Sequence, residues 1–282
     1  MNPLAKYLPH FYVINCNKPN KIRVVFDAAA RFQGLCYNDL LLRGPPSILS
    51  LLGVLIRARQ YRYALSADIE AFYHRVWVAK QDQSLQRFVF RPFGSNGPVR
   101  TFQFTTLIFG AVCSSSAAVL TLHHAAKTNV TFPQVAAKMQ DNIYSDNLID
   151  SFETESEAAD FANAVTKNLE AGGFHLTAFA STSQQILETI PPQYMSPLVL
   201  DINLSALPVE YQLGMKWDLA TDTYGIRVRS MPEVHTKRGL LSAMSLAFDP
   251  LGMFIPVITA TKLLLQQTQK LDRTSPCCWD AH

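Results

Sequence analysis

The sequence has few cysteines and no recognisable cysteine pattern. Five cysteines are scattered or adjacent, and their odd number fits neither a disulfide framework nor a zinc-binding spacing. The first ten residues also lack the apolar core of a secretory signal peptide. We therefore expect a reducing, cytoplasmic setting and no secretion.

A long apolar run suited to a membrane is also missing. The only candidate is the uncharged stretch 101–122, which is long enough on paper to span a bilayer. Gln103, Gly110 and the serines at 114–116 make it too polar, and a strand followed by a helix in a protein core explains it better. We expect no membrane partner.

Internal repeats and low-complexity tracts are absent as well, which excludes a solenoid or a linker. With 282 residues, 48% of them hydrophobic, the chain can bury a sizeable core. Strands and helices alternate irregularly, which is typical of an α+β fold. Strands are predicted at 21–28, at both ends of 63–78, in hairpins over 86–104 and 141–152, at 174–180, and in "YQLGMKWD" and "TYGIRVR". Helices are predicted at 45–61, about 113–126, 154–174 with stops at Gly172 and Gly173, and on both sides of 249–252.

Charge is unevenly distributed along the chain. Residues 1–62 carry nine Lys or Arg and two Asp, whereas residues 136–172 carry eight Asp or Glu and two Lys. A basic lobe facing an acidic segment suits a polyanion held on one side and a divalent metal on the other. The alternative is that both are ordinary solvated faces.

Two aspartates stand where a metal site could form. Asp68 lies near a predicted strand end, and Asp146 lies at the predicted turn of a hairpin. Nucleotidyl transfer uses two divalent cations about 3.5–4 Å apart, so carboxylates from different strands must converge. Either aspartate alone is weak evidence, because a lone Asp in a turn more often forms an Asx-turn.

Three short motifs place these aspartates in a known pattern. In chain order they are "SADIEAFYHRV" (66–76), "FGAVCSSSAA" (109–118) and "YSDNLID" (144–150). Together they resemble the three core palm motifs of reverse transcriptases. Ser115 or Ser116 departs from that pattern, because a proline usually stands there.

The flanking sequence is similar to the Pao/BEL group of long-terminal-repeat retrotransposons. The resemblance rests on "YLPHFYVINCNKPNKIRVVFDAAARFQGLCYNDLLLRGPP", "GMKWDLATDTY" and "TKRGLLSAMSLAFDPLGMFIPVITATKLLLQ". It implies an α+β right-hand polymerase fold, with fingers and palm containing antiparallel sheet over 1–235 and an incomplete thumb-like helical segment over 236–282.

The resemblance also implies a catalytic centre. Asp68 and Asp146 match the metal-binding aspartates that hold two Mg²⁺ ions, with Mn²⁺ as the alternative, and the carbonyl of Ile69 is an expected extra ligand. Asn147 stands where the family has a second adjacent aspartate. Asparagine keeps the shape but loses the charge, so we expect impaired catalysis.

Nucleotide-binding residues are implied on the fingers and beside the catalytic centre. Lys21 and Arg23 match the strand that clamps the incoming triphosphate; otherwise they are solvated edge charges. Tyr73 matches the aromatic gate that excludes a ribose 2′-hydroxyl; otherwise it is a core aromatic. Phe109 and Gly110 match the motif that supports the templating base and the nucleotide.

Primer contacts are implied on two hairpins. Tyr144 would pack near the primer end, and a hairpin formed by Gly214, Met215, Lys216 and Trp217 resembles the primer grip. For Trp217 the alternative is a buried hairpin aromatic. The implied partners are an RNA or DNA template with its primer and deoxynucleoside triphosphates.

The expected function is RNA-directed DNA synthesis within a retrotransposon polyprotein, in the cytoplasm or in virus-like particles there. No RNase H carboxylate cluster, protease motif or integrase zinc spacing is recognised, so we expect a fragment or decayed copy. The alternatives are a catalytically inert nucleic-acid-binding remnant, a structural remnant that scarcely folds alone, and a two-metal hydrolase.

Overall fold

The computed structural model describes residues 7–15, 18–92, 94–128, 133–200, 207–226, 234, 236–245 and 249–274. The strands are β1 (His10–Asn15), β2 (Lys18–Phe26), β3 (Tyr63–Ile69), β4 (Arg87–Phe90), β5 (Arg100–Gln103), β6 (Ile143–Tyr144), β7 (Asn147–Phe152), β8 (Leu176–Ser181), β9 (Val209–Gln212), β10 (Met215–Asp218) and β11 (Thr223–Gly225). The helices are α1 (Leu51–Arg57), α2 (Ser114–Thr128), α3 (Pro133–Asn142), α4 (Glu155–Ala171), α5 (Gln184–Glu188), α6 (Pro197–Leu200), α7 (Lys237–Met244) and α8 (Ile255–Thr274).

A four-stranded antiparallel sheet forms the centre of the structure. Its strand order is β6-β7-β3-β8, so strands that are distant in sequence become neighbours. Side chains alternate between the two faces of a strand, so Leu148 and Phe152 of β7 lie on the same face, towards α2, α3 and α4. There they belong to the largest buried cluster. Burial of this kind is the main stabilising contribution to a domain of this size.

The opposite face of the central sheet is covered by α1 and by a second sheet, with strand order β11-β10-β9. Val54 and Ala58 of α1 pack on Ile149 of β7. Trp217 of β10 is fully buried in a cluster with two small residues of the central sheet, Ala64 and Ala180. The indole therefore fills space between the two sheets.

The two N-terminal hairpins, β1–β2 and β4–β5, meet through aromatic rings. The ring of Phe26 lies 5.0 Å from Phe88 and 4.7 Å from Phe104, both in edge-to-face geometry. Such pairs add about 0.5–1.5 kcal/mol beyond the area that they bury. This aromatic cluster connects the hairpins without a continuous sheet.

Most of the predicted elements are present. Helix α4 begins after Thr154, whose hydroxyl accepts a hydrogen bond from the Glu157 amide at 3.2 Å, and it ends at Gly172. The hairpin around Asp146 and the two C-terminal helices on either side of 249–252 are also confirmed. None of the helices in the described ranges is long and apolar enough to cross a bilayer.

Four element predictions were wrong. The second strand predicted within 63–78 does not form, because Trp77 makes only an isolated bridge with Thr106. The helix predicted at 45–61 is only α1, because Ser50 caps it and the prolines before it cannot form helical hydrogen bonds. In the hairpin over 86–104, β4 ends at Phe90 and β5 begins at Arg100, so a tight Asn-Gly turn does not join the two strands. "YQLGMKWD" is two strands, β9 and β10, because Leu213 and Gly214 form a turn. Strand β1 and helices α3, α5 and α6 were not predicted. The domain boundary was predicted between 235 and 236. Residues 227–233 and 235 lie outside the described residues, so this boundary stays a prediction.

One close helix contact is testable by mutation. A Cβ on Gly172 would lie 2.6 Å from the Cβ of Ala125 in α2, so Gly172→Ala should cost about 1–3 kcal/mol of unfolding free energy by overpacking. Urea denaturation measures the loss of unfolding free energy. The control is Gly225→Ala, because an added Cβ at Gly225 would meet no atom within 4 Å. In an Ala125→Gly background the Gly172→Ala substitution should become nearly neutral. An equal cost in both backgrounds would contradict the contact.

Candidate active site

The pairing of β3 with β7 brings Asp68 and Asp146 together. Asp68 is directly opposite Asn147 in the antiparallel register, and the amide of Ile69 donates a 2.8 Å hydrogen bond to the carbonyl of Asp146. Asp146 lies in the turn between β6 and β7, where Ser145 adopts a φ of 59°. The two predicted metal-binding carboxylates therefore converge from two neighbouring strands.

The Asp68 carboxyl has an unusual electrostatic environment. Its Oδ1 atom is buried and lacks a hydrogen-bond partner among the described residues. Burial, followed by the nearby charge of Asp146, raises the pKa of Asp68 to about 6. A buried carboxylate oxygen without a hydrogen-bond partner is costly unless a cation compensates it, so the site is suited to a hard divalent ion.

Asn147 changes the charge of this site. Its Nδ2 donates a 3.0 Å hydrogen bond to Oδ1 of Asp146, so the amide occupies one oxygen of the turn carboxylate. Across the described ranges, no group of three or more His, Cys, Asp and Glu side chains is arranged to hold a metal ion. The predicted ligands there are the two carboxylates of Asp68 and Asp146 with the carbonyl of Ile69.

A cleft of about 690 Å³ lies between β2 and the segment that precedes α2. Its lining includes Arg23, Val24, Val25, Phe26, His74, Phe104, Ile108, Phe109 and Gly110. Three of the predicted nucleotide-binding residues are therefore in one cavity. The backbone of Lys21 is in β2, but its side chain lies outside the described residues.

Tyr73, which follows β3, contacts this cleft through Phe109. Its hydroxyl is 3.1 Å from Oγ of Ser115, and its ring lies 5.1 Å from the ring of Phe109 in edge-to-face geometry. Phe109 is 74% exposed and therefore available to a ligand. Gly110 adopts a φ of +93°, a backbone conformation that is strained for residues with a side chain, which explains why a glycine stands there.

Gly214, Met215, Lys216 and Trp217, for which a primer-grip role was predicted, lie at the turn of the β9–β10 hairpin and along β10. Both central turn residues, Leu213 and Gly214, have positive φ, as a type I′ two-residue hairpin requires. Lys216 is exposed, whereas Met215 and Trp217 are fully buried, so only an indirect role in holding a primer is open to their side chains. Tyr144 and Leu213 both pack against the cluster between α1 and β7, so the two predicted primer-contacting hairpins share a contact region.

Sequence reasoning missed a polar clamp on the glycine segment. Nδ2 of Asn38 donates to the carbonyl of Gly110 at 3.1 Å, and Oδ1 of Asn38 accepts from the amide of Val112 at 3.0 Å. Both hydrogen bonds span more than 70 residues of chain, so no local pattern could indicate them. Asn38 thereby holds the mouth of the cleft in shape.

Comparison with known proteins places this geometry in a class. Residues 26–179 match the family model described as reverse transcriptase (RNA-dependent DNA polymerase), so the chain belongs to that family. Residues 236–281 match a second family model, the Pao retrotransposon-like RNaseH-like domain. Together the two matches identify a Pao-type retrotransposon reverse transcriptase region. The second match covers the segment for which we predicted a thumb-like role. No curated protein matches the chain.

Solved structures support the same fold. A foamy viral protease-reverse transcriptase in complex with an RNA/DNA hybrid is 15% identical with a TM-score of 0.60, covering 93% of this chain and 30% of its own. A dRH form of that viral protein with double-stranded DNA is 17% identical with a TM-score of 0.61, covering 93% and 39%. A further complex with double-stranded DNA is 17% identical with a TM-score of 0.56, covering 85% and 42%. The chain thus spans less than half of these viral chains and has the α+β right-hand polymerase fold, as predicted.

The raised pKa of Asp68, caused first by burial and then by the charge of Asp146, predicts a pH-dependent stability change. Because the pKa of Asp68 is raised in the folded state, its ionisation opposes folding above pH 6, and this cost disappears below about pH 4. Without divalent ions, Asp68→Asn should therefore raise the unfolding free energy at pH 7.5 by about 1–2 kcal/mol, allowing for partial solvent screening. Denaturant titrations at pH 7.5 and pH 4 measure it.

The matched control is Asp160→Asn, which removes an exposed carboxylate from α4. It should change stability little at either pH. A gain for Asp68→Asn that persists at pH 4 would contradict the electrostatic explanation.

Proposed function

We propose that this chain carries out template-directed DNA synthesis as the polymerase part of a retrotransposon polyprotein, acting in the cytoplasm or in virus-like particles there. The observation that carries the proposal is the convergence of Asp68 and Asp146, with an unpartnered buried oxygen, beside a cleft that contains Arg23. The similar viral structures contain the viral protein bound to an RNA/DNA hybrid and to double-stranded DNA. We accordingly propose a primed RNA or DNA template as partner, with deoxynucleoside triphosphates as substrates.

Asp68 and Asp146, with the carbonyl of Ile69, are the residues that would hold Mg²⁺ or Mn²⁺. When bound, such ions neutralise phosphate charge and favour ionisation of the attacking hydroxyl. The residues present fit this role, because carboxylate and carbonyl oxygens are the ligands that these ions prefer. The raised pKa of Asp68 is the electrostatic cost that the cation would offset.

The nucleotide would lie in the cleft, with its phosphates towards Arg23 on β2. The Tyr73 ring, held by Ser115, would limit the space beside the sugar and so disfavour a ribose. Phe109, largely exposed at the same place, would support the base by stacking. Lys216 would contact the primer backbone from the hairpin turn region.

A catalytically inert nucleic-acid binder is the second candidate, and Asn147 is the observation that favours it. The amide removes one negative charge and donates a hydrogen bond to an oxygen that a metal would use. We therefore expect weak catalysis and weak metal binding in the natural sequence.

Primer extension on an RNA template tests the proposal directly. Asn147→Asp should increase the rate of first-nucleotide addition by about 10- to 100-fold over the natural sequence, because a supporting charge at a metal site is worth about that much. The control is the double variant Asp68→Asn/Asn147→Asp, which should be inactive. Salt-sensitive binding of primer-template with no extension by any variant would support the inert binder and overturn the polymerase.

Metal binding can be measured without catalysis. Mg²⁺ or Mn²⁺ should raise the melting temperature of the natural sequence and raise it further in Asn147→Asp, because ligands that bind only the folded state stabilise it. Asp68→Asn should abolish the shift. An equal shift in Asp68→Asn would place the ion elsewhere.

A further inference from the structure

Two arginines at the end of α1 reach two different hairpins. Arg57 is the last residue of α1 and Arg59 lies in the turn that follows, separated by the buried Ala58. The turn is fixed by hydrogen bonds from the Arg59 amide to Ile56 and from the Gln60 amide to Arg57, both at 3.0 Å. We call Arg57 and Arg59 the arginine pair.

Arg57 holds the base of the hairpin that carries Asp146. Its Nε donates to the carbonyl of Asp141 at 3.0 Å and to Oδ1 of Asn142 at 3.1 Å, directly before β6. Its own carbonyl accepts a 2.9 Å hydrogen bond from the hydroxyl of Ser151 in β7. Both ends of the β6–β7 hairpin are therefore attached to α1 through buried polar residues, Asn142 and Ser151.

Arg59 holds the second sheet at the turn between β10 and β11. Its guanidinium donates to both the carboxylate and the backbone carbonyl of Asp222, and it lies 4.8 Å from the ring centroid of Tyr224. The same carboxylate accepts a 3.0 Å hydrogen bond from Nε1 of the buried Trp217. A bidentate arginine contact of this kind fixes orientation as well as distance.

Strand β10, the central strand of the second sheet, is thus held near both of its ends. At its tip, Leu213 packs against the cluster formed by α1, Ile149 and Tyr144. At its far end, Arg59 binds Asp222. Two separated attachments restrict rotation of the hairpin in a way that one attachment cannot.

From this arrangement we propose that Arg59 is a positioning residue, which sets the predicted primer-holding hairpin against Asp68 and Asp146 through the rigid link to Arg57. This inference rests on the proposed polymerase function. A displacement of about 1 Å of a reacting group can lower a rate by about 100-fold, so a polar tie far from the chemistry can control it. The nucleotide cleft, built on β2 and the segment before α2, does not contain this tie.

Hydrogen exchange tests the tie without requiring any activity. Arg59→Met removes the guanidinium, and Asp222→Asn removes the charge but keeps an acceptor for Trp217 and a residue that tolerates the positive φ at 222. Amides over 209–225 should exchange at least about tenfold faster in both variants. The double variant should be no faster than either single variant.

The control is Arg62→Met, because Arg62 is another arginine of the same segment and its guanidinium stacks on the neighbouring Tyr63 at 5.3 Å. It should exchange like the parent. Unchanged exchange in Arg59→Met and Asp222→Asn would overturn the proposal.

Single-nucleotide incorporation in the Asn147→Asp background gives the functional readout. Arg59→Met and Asp222→Asn should lower kcat by about 10- to 100-fold with the KM for the nucleotide changed less than about twofold. Arg59→Lys should restore part of the loss. An unchanged kcat, or an equal loss in Arg62→Met, would overturn the positioning role. If the parent itself incorporates nothing, the proposed function fails, while the exchange data still decide whether Arg59 holds the hairpin.

Discussion

The antiparallel register of β3 and β7 is the constraint on which the candidate site depends. Side chains alternate along a strand, so a slip of one residue would send Asp68 to the opposite face of the sheet. The hydrogen bond from Ile69 to Asp146 fixes that register at the end where the carboxylates meet. The helices beneath β7, and α1 above it, exclude other registers because both faces of the strand are buried.

The features that could be predicted from the sequence are those with a local pattern. Helix α4 has a capping residue and a regular apolar stripe, and the turn at Asp146 lies between alternating segments. The contacts of Asn38, Arg57 and Arg59 could not be predicted, because they join polar residues separated by tens of positions and have no periodic signature. The tight turn at Leu213 was missed for a different reason, since leucine rarely adopts positive φ and is held there by packing.

The departures from the usual palm motifs have local partners in the structure. Ser115 is hydrogen-bonded to Tyr73, and the Ser116 hydroxyl donates to the carbonyl of Pro45 at 2.8 Å. Asn147 is likewise bonded to Asp146. Whichever serine replaces the usual proline therefore adds a connection between segments, whereas Asn147 keeps the shape of the turn and changes only its charge.

The contact of Trp217 with Ala64 and Ala180 has an evolutionary consequence. The large ring on one sheet occupies the volume that the two methyl groups leave on the other, and no exposed surface remains to absorb a change. A larger residue at either alanine would need a smaller one at 217, since close-packed interiors tolerate exchanges that keep total volume far better than single enlargements. These three positions, distant in sequence, should therefore vary together among relatives. The summed side-chain volume of the three should vary less among relatives than the volume of any single one of the side chains.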